Sequence, residues 1–301
     1  MSYNIKMYVK NSNNENAYNL PHEELTQIIQ NIDKIDIKEI NPTTQNINKS
    51  IYEEDLGIVV DELINLTFKD LNKGNEDNVR KQHILDYIDK HNVILQEIYN
   101  WLLNNQNHSN SIYLLGYFNY HGIVTDNNKQ KASILYQIAA ELENIVAQLE
   151  LANMYIYGKG IKKDFSKAFE LSKKLAEKNN PNAINRLGYC YDFGIGIKIN
   201  KKKAFELYQK AADLGNSNGM NNLGSCYEGG FGTYIDKQKA FELYHKAAKI
   251  ENDYAQYNLA VMYENGNVIK KDLTQAIHWY KKSANQGHKY AQKKLKKLLE
   301  K

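Results

Sequence analysis

The sequence predicts an all-α fold, namely a right-handed α-solenoid of five helical hairpins with an N-terminal helical cap. The first observation is a pattern that repeats every 36 residues between residues 111 and 290. Fixed periods of this length are typical of repeat architectures built from one supersecondary unit. The second observation is that the 301 residues include only 3 prolines. Proline removes a donor from a helix interior and clashes with the preceding turn, so its scarcity favours helices.

The repeated pattern runs without insertions. A leucine recurs at residues 115, 151, 187, 223 and 259, and a glycine follows it seven residues later each time. An alanine that opens a second segment recurs with the same spacing. The chain therefore divides into five equal units, numbered 1 to 5, which are 111–146, 147–182, 183–218, 219–254 and 255–290.

Each unit reads as a helical hairpin, and unit 3 illustrates the pattern. Apolar or small residues three and four apart place one face of the first segment in a core. Gly194 can end that helix in a left-handed conformation, and Asn200 is a suitable N-cap for a second helix. The small residue after the leucine, here Gly188, is expected to let a neighbouring helix approach closely. One hairpin cannot bury its apolar face alone, so stacked units should share a continuous core.

The motif A-x-x-x-L-G-x-x-Y-x-x-G-x-G, followed by D and by K-A-x-x-x-Y-x-K-A-A-x-x-G, resembles the Sel-1-like repeat, a relative of the tetratricopeptide hairpin. The resemblance covers 111–290, and units 3 and 4 match it best. Unit 1 departs from it, since Asn119 replaces the usual tyrosine and Val124 the second glycine. Unit 5 has Val268 in place of that glycine, so its turn is expected to differ. The resemblance implies a protein-interaction scaffold whose first helices line a concave groove.

The flanking segments have their own patterns. Residues 1–20 are polar and expected to be disordered, while 21–50 predict a short helix and a linker. Apolar residues three and four apart predict helices over 51–110, which we expect to pack on unit 1 and cap the solenoid. Residues 291–301 begin a sixth first helix and then turn basic, as a C-terminal capping helix would.

The phrases "NVRKQHILDYI" and "LQEIYNWLLNNQ" make residues 22–110 similar to a segment of certain fungal proteins. In those proteins the segment joins a protein-kinase domain to Sel-1-like repeats. The resemblance implies an alternative function in signalling, that of a regulatory subunit acting in trans on a protein kinase or a membrane enzyme.

Charge and hydropathy narrow the classes of partner. The net charge of +4 gives no overall attraction to nucleic acid, and no apolar stretch reaches the length of a membrane span or a signal peptide. We therefore expect a cytoplasmic or nuclear chain whose partner is another protein, reached without membrane insertion. Its two cysteines, Cys190 and Cys226, occupy the same position in successive units and are expected in the core.

No combination of residues predicts catalysis, a metal site or a cofactor. The tripeptide Asp192-Phe193-Gly194 matches the magnesium-binding motif of kinases, but the other parts of a kinase sequence are missing and its glycine is the repeating helix end. Paired glycines such as Gly194 and Gly196 follow a helix, whereas a phosphate-binding loop follows a strand. The eight histidines form no ligand cluster. A hydrolase, as reported for some secreted Sel-1-like proteins, is the less favoured alternative.

The concave groove is the candidate site for an extended or helical segment of a partner. Side chains opposite the core stripe of each first helix should line it, with tyrosines at the N-terminal end and acidic residues at the C-terminal end. Tyrosine is enriched at binding hot spots. An open alternative is that the helices at 77–104 cover the tyrosine end. The predicted groove residues are Tyr113, Tyr117, Tyr120, Asn153, Ile156, Asn185, Tyr189, Asp192, Asn221, Glu228, Tyr257 and Glu264.

Overall fold

The computed structural model describes residues 53–266 and 268–300. The disorder predicted for 1–20 and the helix and linker predicted for 21–50 lie outside the described residues. Within them the chain forms fourteen α-helices and no β-strand, which confirms the all-α class. In chain order these are α1 Glu53–Lys73, α2 Asp77–Lys90, α3 Leu95–Asn104, α4 Ser109–His121, α5 Lys129–Glu141, α6 Ile145–Tyr157, α7 Phe165–Glu177, α8 Pro181–Phe193, α9 Lys201–Asp213, α10 Ser217–Gly229, α11 Lys237–Lys249, α12 Asp253–Asn265, α13 Leu273–Asn285 and α14 Lys289–Leu299.

Helices α4 to α13 are the five predicted hairpins, stacked in chain order. Each first helix packs against the second helix of its own unit, and each second helix packs against the first helix that follows. Helix α14 packs on α13 and continues the stack. The first helices of units 3 and 4, α8 and α10, also contact each other. The surface formed by α4, α6, α8, α10 and α12 is called the concave face below.

The predicted helix ends are confirmed in all five units. Each first helix ends at a glycine with φ between 62° and 72°, the left-handed region that a glycine enters without a steric penalty. Each second helix begins at an asparagine or aspartate whose side chain accepts a hydrogen bond from the backbone N–H three residues later. The N-cap residues of the second helices are Asn128, Asp164, Asn200, Asp236 and Asp272.

The small residue after the repeated leucine makes room for the second helix of its own hairpin. A Cβ added to Gly188 would lie 2.8 Å from the ring of Tyr208, in the second helix of the same unit. Gly224 meets Tyr244 in the same way, at 2.7 Å. The glycine therefore accommodates a buried tyrosine ring within its own hairpin.

The second glycine of the turn sets the spacing between units. A Cβ on Gly196 would lie 2.3 Å from the carbonyl oxygen of Phe165, which is in the first turn of the preceding unit's second helix. A Cβ on Gly160 or Gly232 would lie 2.1 or 2.2 Å from the equivalent backbone oxygen. Unit 1 has no preceding unit at this turn, and Val124 occupies the position with φ 66° and an exposed side chain. The turn of unit 5 includes residue 267, which is not among the described residues.

The N-terminal helices occupy two different places. Helix α3 packs on α4, where the ring of Tyr99 stacks on that of Phe118 at 6.5 Å, so this part caps unit 1 as predicted. Helix α1 instead runs across α4, α6 and α8. The hairpin of α1 and α2 thus lies along the concave face. Helix α1 therefore packs on unit 1, as expected, but extends beyond it to units 2 and 3.

A search of the described residues for a helix long and apolar enough to cross a membrane finds none.

Candidate protein-binding surface

Three predicted groove residues are buried beneath the N-terminal hairpin. The side chains of Tyr113 and Tyr117 are 0% exposed and that of Ile156 is 5% exposed. Their burial corrects the prediction that they line an open groove. The alternative in which the helices at 77–104 cover the tyrosine end is correct in part, because α2 bonds to α4 and α6 there, but α1 at 53–73 also packs on both helices.

A buried arginine fixes α2 to the concave face. The guanidinium of Arg80 donates hydrogen bonds to Asp77 in the same helix and to Glu150 in α6. Burial alone would lower the pKa of Arg80, but the two carboxylates outweigh it and hold that pKa well above its ordinary value. The ammonium of the next residue, Lys81, donates to the backbone carbonyl of His121 at the end of α4, at 2.9 Å.

The tip of the hairpin, residues 71–76, is bound by asparagine side chains at the start of α8 and α10. The last carbonyl groups of a helix have no partner within that helix. Here the backbone carbonyls at the end of α1 and in the loop after it accept hydrogen bonds from asparagine side chains at the start of α8 and α10. The donors and acceptors, 2.8 to 3.0 Å apart, are Asn182 to Leu71, Asn216 to Asn72 and Asn218 to Gly74.

These contacts replace a bond that the repeats otherwise make with each other. The N-cap asparagine of α12, Asn252, donates its amide to Asn218 in the preceding first helix at 2.7 Å. The N-cap asparagines of α8 and α10, Asn180 and Asn216, donate instead to Asn72. The tip is therefore inserted into a regular hydrogen-bonding pattern. The sequence contains the signal for this pattern, an asparagine at the N-cap in four successive units, but not the identity of the acceptor.

The hairpin tip also faces the start of α12. Burial, followed by the negative charge of Asp253, raises the pKa of the Glu76 carboxyl to about 7. Burial likewise raises the pKa of Asp253, in the first turn of α12, to about 6. Just beyond the tip, the Asn78 amide lies 3.5 Å from the position of a Cβ on Gly287 in unit 5. One short loop thus bonds to the starts of α8 and α10 and faces that of α12.

The three predicted acidic groove residues serve within their own hairpins. Each accepts a hydrogen bond from the hydroxyl of the tyrosine 16 residues later, in the second helix of the same unit. The structure thus gives each carboxylate a partner inside its own hairpin, and their assignment as acidic contacts for another protein stays a prediction. The pairs are Tyr208 to Asp192 at 3.3 Å, Tyr244 to Glu228 at 2.9 Å and Tyr280 to Glu264 at 2.6 Å.

Lysines neutralise two of these carboxylates. The Lys201 ammonium lies 2.6 Å from a carboxylate oxygen of Asp192, and the Lys294 ammonium lies 2.9 Å from Glu264. Burial would raise the pKa of Glu264, but the hydrogen bonds from Tyr280 and Lys294 and the lysine charge lower it overall. Asp192 and Glu264 therefore present little unbalanced negative charge.

The remaining predicted residues lie on a part of the concave face that the hairpin leaves uncovered. Asn185, Tyr189, Asn221 and Tyr257 are partly exposed there. Two residues that the sequence reasoning missed, Asn222 and Asn258, continue the row and donate to Asn185 and Asn221 at 3.0 Å. The open surface is defined as Asn185, Tyr189, Asn221, Asn222, Tyr257 and Asn258.

Aromatic rings border the open surface at both ends. The ring of Tyr189 lies 4.5 Å from that of Phe193, and Tyr257 packs 4.8 Å from His288. Half-exposed Tyr157 and Tyr254, which were not predicted, extend the border. Tyr120 and Asn153, also predicted, are partly exposed on units 1 and 2.

Among the described residues no group of three or more His, Cys, Asp or Glu side chains is placed to hold a metal ion. Gly194 is the left-handed cap of α8, so the kinase-like tripeptide is a helix end. Burial raises the pKa of the Cys190 thiol to about 11 and that of Cys226 to about 12, as expected for core cysteines.

Known proteins share the repeat and the fold. The profile of the Sel1 repeat matches 109–144, 145–180, 181–216, 217–251 and 253–288. Each of these segments starts two residues before the corresponding unit defined above.

A crystal structure of a Sel1 repeat protein from Oxalobacter formigenes is 30% identical to this chain, with a TM-score of 0.57. The match covers 73% of this chain and 87% of that chain. The protein c5321, described as a protective antigen of uropathogenic Escherichia coli with an SLR fold, is 24% identical over 84% of this chain and 60% of its own, with a TM-score of 0.51. No curated protein matches the chain.

Proposed function

The chain belongs to the Sel1 repeat family, and from this premise we propose that it is a non-catalytic scaffold that binds a partner protein on the open surface. Proteins with these repeats generally serve as protein-interaction scaffolds, and the fold is typically non-catalytic. The ligand in this proposal is an extended or helical polypeptide segment, lying across α8, α10 and α12.

The observation that carries the proposal is the hairpin itself. The concave face of units 1 and 2 already holds two helices, since α1 packs on α4 and α6 and α2 is fixed by the buried ion pair of Arg80 with Glu150. The tip of the same hairpin is held through asparagine amides that bond to backbone carbonyls. This face therefore has the chemistry to bind a polypeptide, and the open surface continues it with the same residue types.

The residues of the open surface suit a protein ligand for two reasons. Asparagine side chains offer both a donor and an acceptor, which matches the alternating groups of a peptide backbone. Tyrosine supplies a large contact area at a small loss of rotamer freedom. The row of Asn185, Asn222, Asn221 and Asn258 has fixed orientations, because each amide already bonds to a neighbour within the row.

The test is the double variant Tyr189→Ala/Asn221→Ala, with Glu170→Ala/Lys173→Ala on the outer face of α7 as the matched control. Proteins captured from the source cells by each variant are quantified by mass spectrometry, and far-UV CD melts verify folding. We expect a defined set of proteins to be lost with the first variant and kept with the control. Retention of the entire set by a folded Tyr189→Ala/Asn221→Ala variant would refute the proposal.

The regulatory role in trans on a kinase or a membrane enzyme stays a prediction from the sequence resemblance. A kinase within the set of proteins lost with the double variant would support it. A set without any kinase would leave the general scaffold as the function.

A further inference from the structure

The chain has two arginines. Arg186 belongs to the concave face, and Arg80, in α2, is paired to that face through Glu150. Arg80 is neutralised by Asp77 and Glu150. Arg186, in α8, has no carboxylate within ion-pair distance among residues 53–266 and 268–300. The two arginines are thus in similar places but in opposite electrostatic situations.

The guanidinium of Arg186 is largely desolvated and poorly satisfied. One nitrogen donates to the side-chain oxygen of Asn182 at 3.1 Å, while the Nε–H is buried and has no hydrogen-bond partner in the described part of the chain. Burial lowers the pKa of Arg186 below its ordinary value, the reverse of the shift at Arg80. The residue as a whole is partly exposed, so a ligand on the concave face can reach it.

The carboxylate nearest to Arg186 is already engaged. Glu150, which partly offsets the effect of burial on the pKa of Arg186, forms an ion pair with Arg80. Asp77 also pairs with Arg80 and lies 3.8 Å from the Lys159 ammonium. A buried charge without a partner is unfavourable, and such groups are candidates for functional sites. An anion bound at Arg186 would supply the partner that its guanidinium lacks.

Two tyrosines lie near Arg186 on the concave face. Tyr189 follows Arg186 by about one turn of α8, on the same side of the helix. Tyr157, whose side chain is 50% exposed, lies near enough to Arg186 to influence its pKa. Hydroxyls beside a guanidinium fork complement the two oxygens of a carboxylate. Tyr189 belongs to the open surface, so an anion at Arg186 would be continuous with a segment bound there.

We propose that Arg186, Tyr157 and Tyr189 recognise a carboxylate side chain of the partner, which is therefore an acidic peptide segment. The inference rests on the proposed function and names the chemical class of the partner. The Arg186 guanidinium binds the carboxylate, the two hydroxyls orient it, and the asparagine row holds the adjoining peptide backbone.

The first experiment separates a binding residue from a structural one. Arg186→Met keeps the volume and removes the unpaired charge, and Lys173→Met makes the same charge change at an exposed position of α7. If Arg186 serves binding, the melting temperature of R186M equals or exceeds that of the parent chain, because no partner is left unpaired. A clear fall in the melting temperature of R186M alone would assign the arginine a structural role and overturn the proposal.

The second experiment measures recognition. The probe is a short fluorescein-labelled peptide in which glutamate alternates with serine, and its counterpart carries glutamine in place of glutamate. Fluorescence anisotropy should show tighter binding of the glutamate peptide by the parent chain, weakened about 10- to 100-fold in R186M and unchanged in K173M. Tyr157→Phe should weaken binding about two- to tenfold, as loss of one neutral donor would. Equal binding of the two peptides, or no change in R186M, would overturn the proposal.

Failure of this inference is distinguishable from failure of the proposed function. If Tyr189→Ala/Asn221→Ala releases the captured proteins while R186M keeps them, the open surface binds protein but the carboxylate site is wrong. If R186M releases the same proteins as the double variant, both proposals are supported.

Discussion

Replacement of Gly196 by alanine should weaken the contact between units 2 and 3 more than the loss of a glycine alone would. Gly196 has φ 69°, where an L-residue with a side chain is strained. The new Cβ would also lie 2.3 Å from the backbone oxygen of Phe165 and 2.8 Å from the Cβ of Phe169. Backbone atoms cannot move aside as the end of a flexible side chain can, so the two units must separate.

The chain offers a matched control at Gly215. This glycine has a similar φ of 83°, but a Cβ there meets no atom within 4 Å. Gly215→Ala should therefore report the strain of the left-handed conformation alone, about 1–2 kcal/mol. Gly196→Ala adds overpacking between units, about 1–3 kcal/mol more, for a total of about 2–5 kcal/mol.

Urea denaturation followed by far-UV CD measures the difference, with the shift of the midpoint compared between the two variants. A repeat array can lose two-state behaviour, so coincidence of CD and tyrosine-fluorescence transitions should be tested first. If Gly196→Ala is no more destabilising than Gly215→Ala, the close approach between units does not restrict this turn and the reasoning is refuted.

Three further outcomes are expected. Tyr244→Phe leaves Glu228 without its hydroxyl donor and should lower the free energy of unfolding by about 1 kcal/mol, whereas no change in a urea titration would show that water replaces the hydroxyl. Arg80→Ala leaves a buried carboxylate unpaired, so the hairpin should become a site of limited proteolysis and stability should fall by about 3–5 kcal/mol; protection equal to that of the parent chain would contradict this. The pKa of Glu76 is raised to about 7 and that of Asp253 to about 6, so their stabilisation of the docked tip is complete below about pH 4 and lost as pH rises through 6 to 7. Hydrogen exchange of the tip, corrected for intrinsic rates, should show falling protection over that range, and Glu76→Gln should flatten the profile; an unchanged profile in that variant would exclude Glu76 as the titrating group.

The repeat architecture could be predicted because its information is local and periodic. Helix ends such as Gly194 and N-caps such as Asn200 depend on the conformation of neighbouring residues, and five copies confirm each other. The position of the α1–α2 hairpin could not be predicted in this way. An amphipathic pattern shows that a helix buries one face but not which surface buries it, and the bond from Asn182 to Leu71 joins residues 111 apart.

The hydrogen bonds of the acidic residues leave a partial signal in the sequence. Asp192, Glu228 and Glu264 each have a tyrosine 16 residues later, whereas unit 2 has Ile156 followed by Ser172 at these positions. Unit 1 breaks the pattern, because Tyr136 follows Tyr120 there and no acid is present. Comparison of the units with each other thus suggests contact between the two positions in units 3 to 5 without establishing it.

The reach of the hairpin tip changes the mechanics of the repeat array. In a simple solenoid each unit contacts only its neighbours, so the stack can bend and its ends can unfold separately. Here one loop bonds to the starts of α8 and α10 and faces that of α12, while α2 is paired to α6 and bonded to α4. These contacts join all five first helices and should restrict bending of the stack before any partner binds. A ligand on the open surface would then meet a preformed shape and lose less conformational entropy on binding.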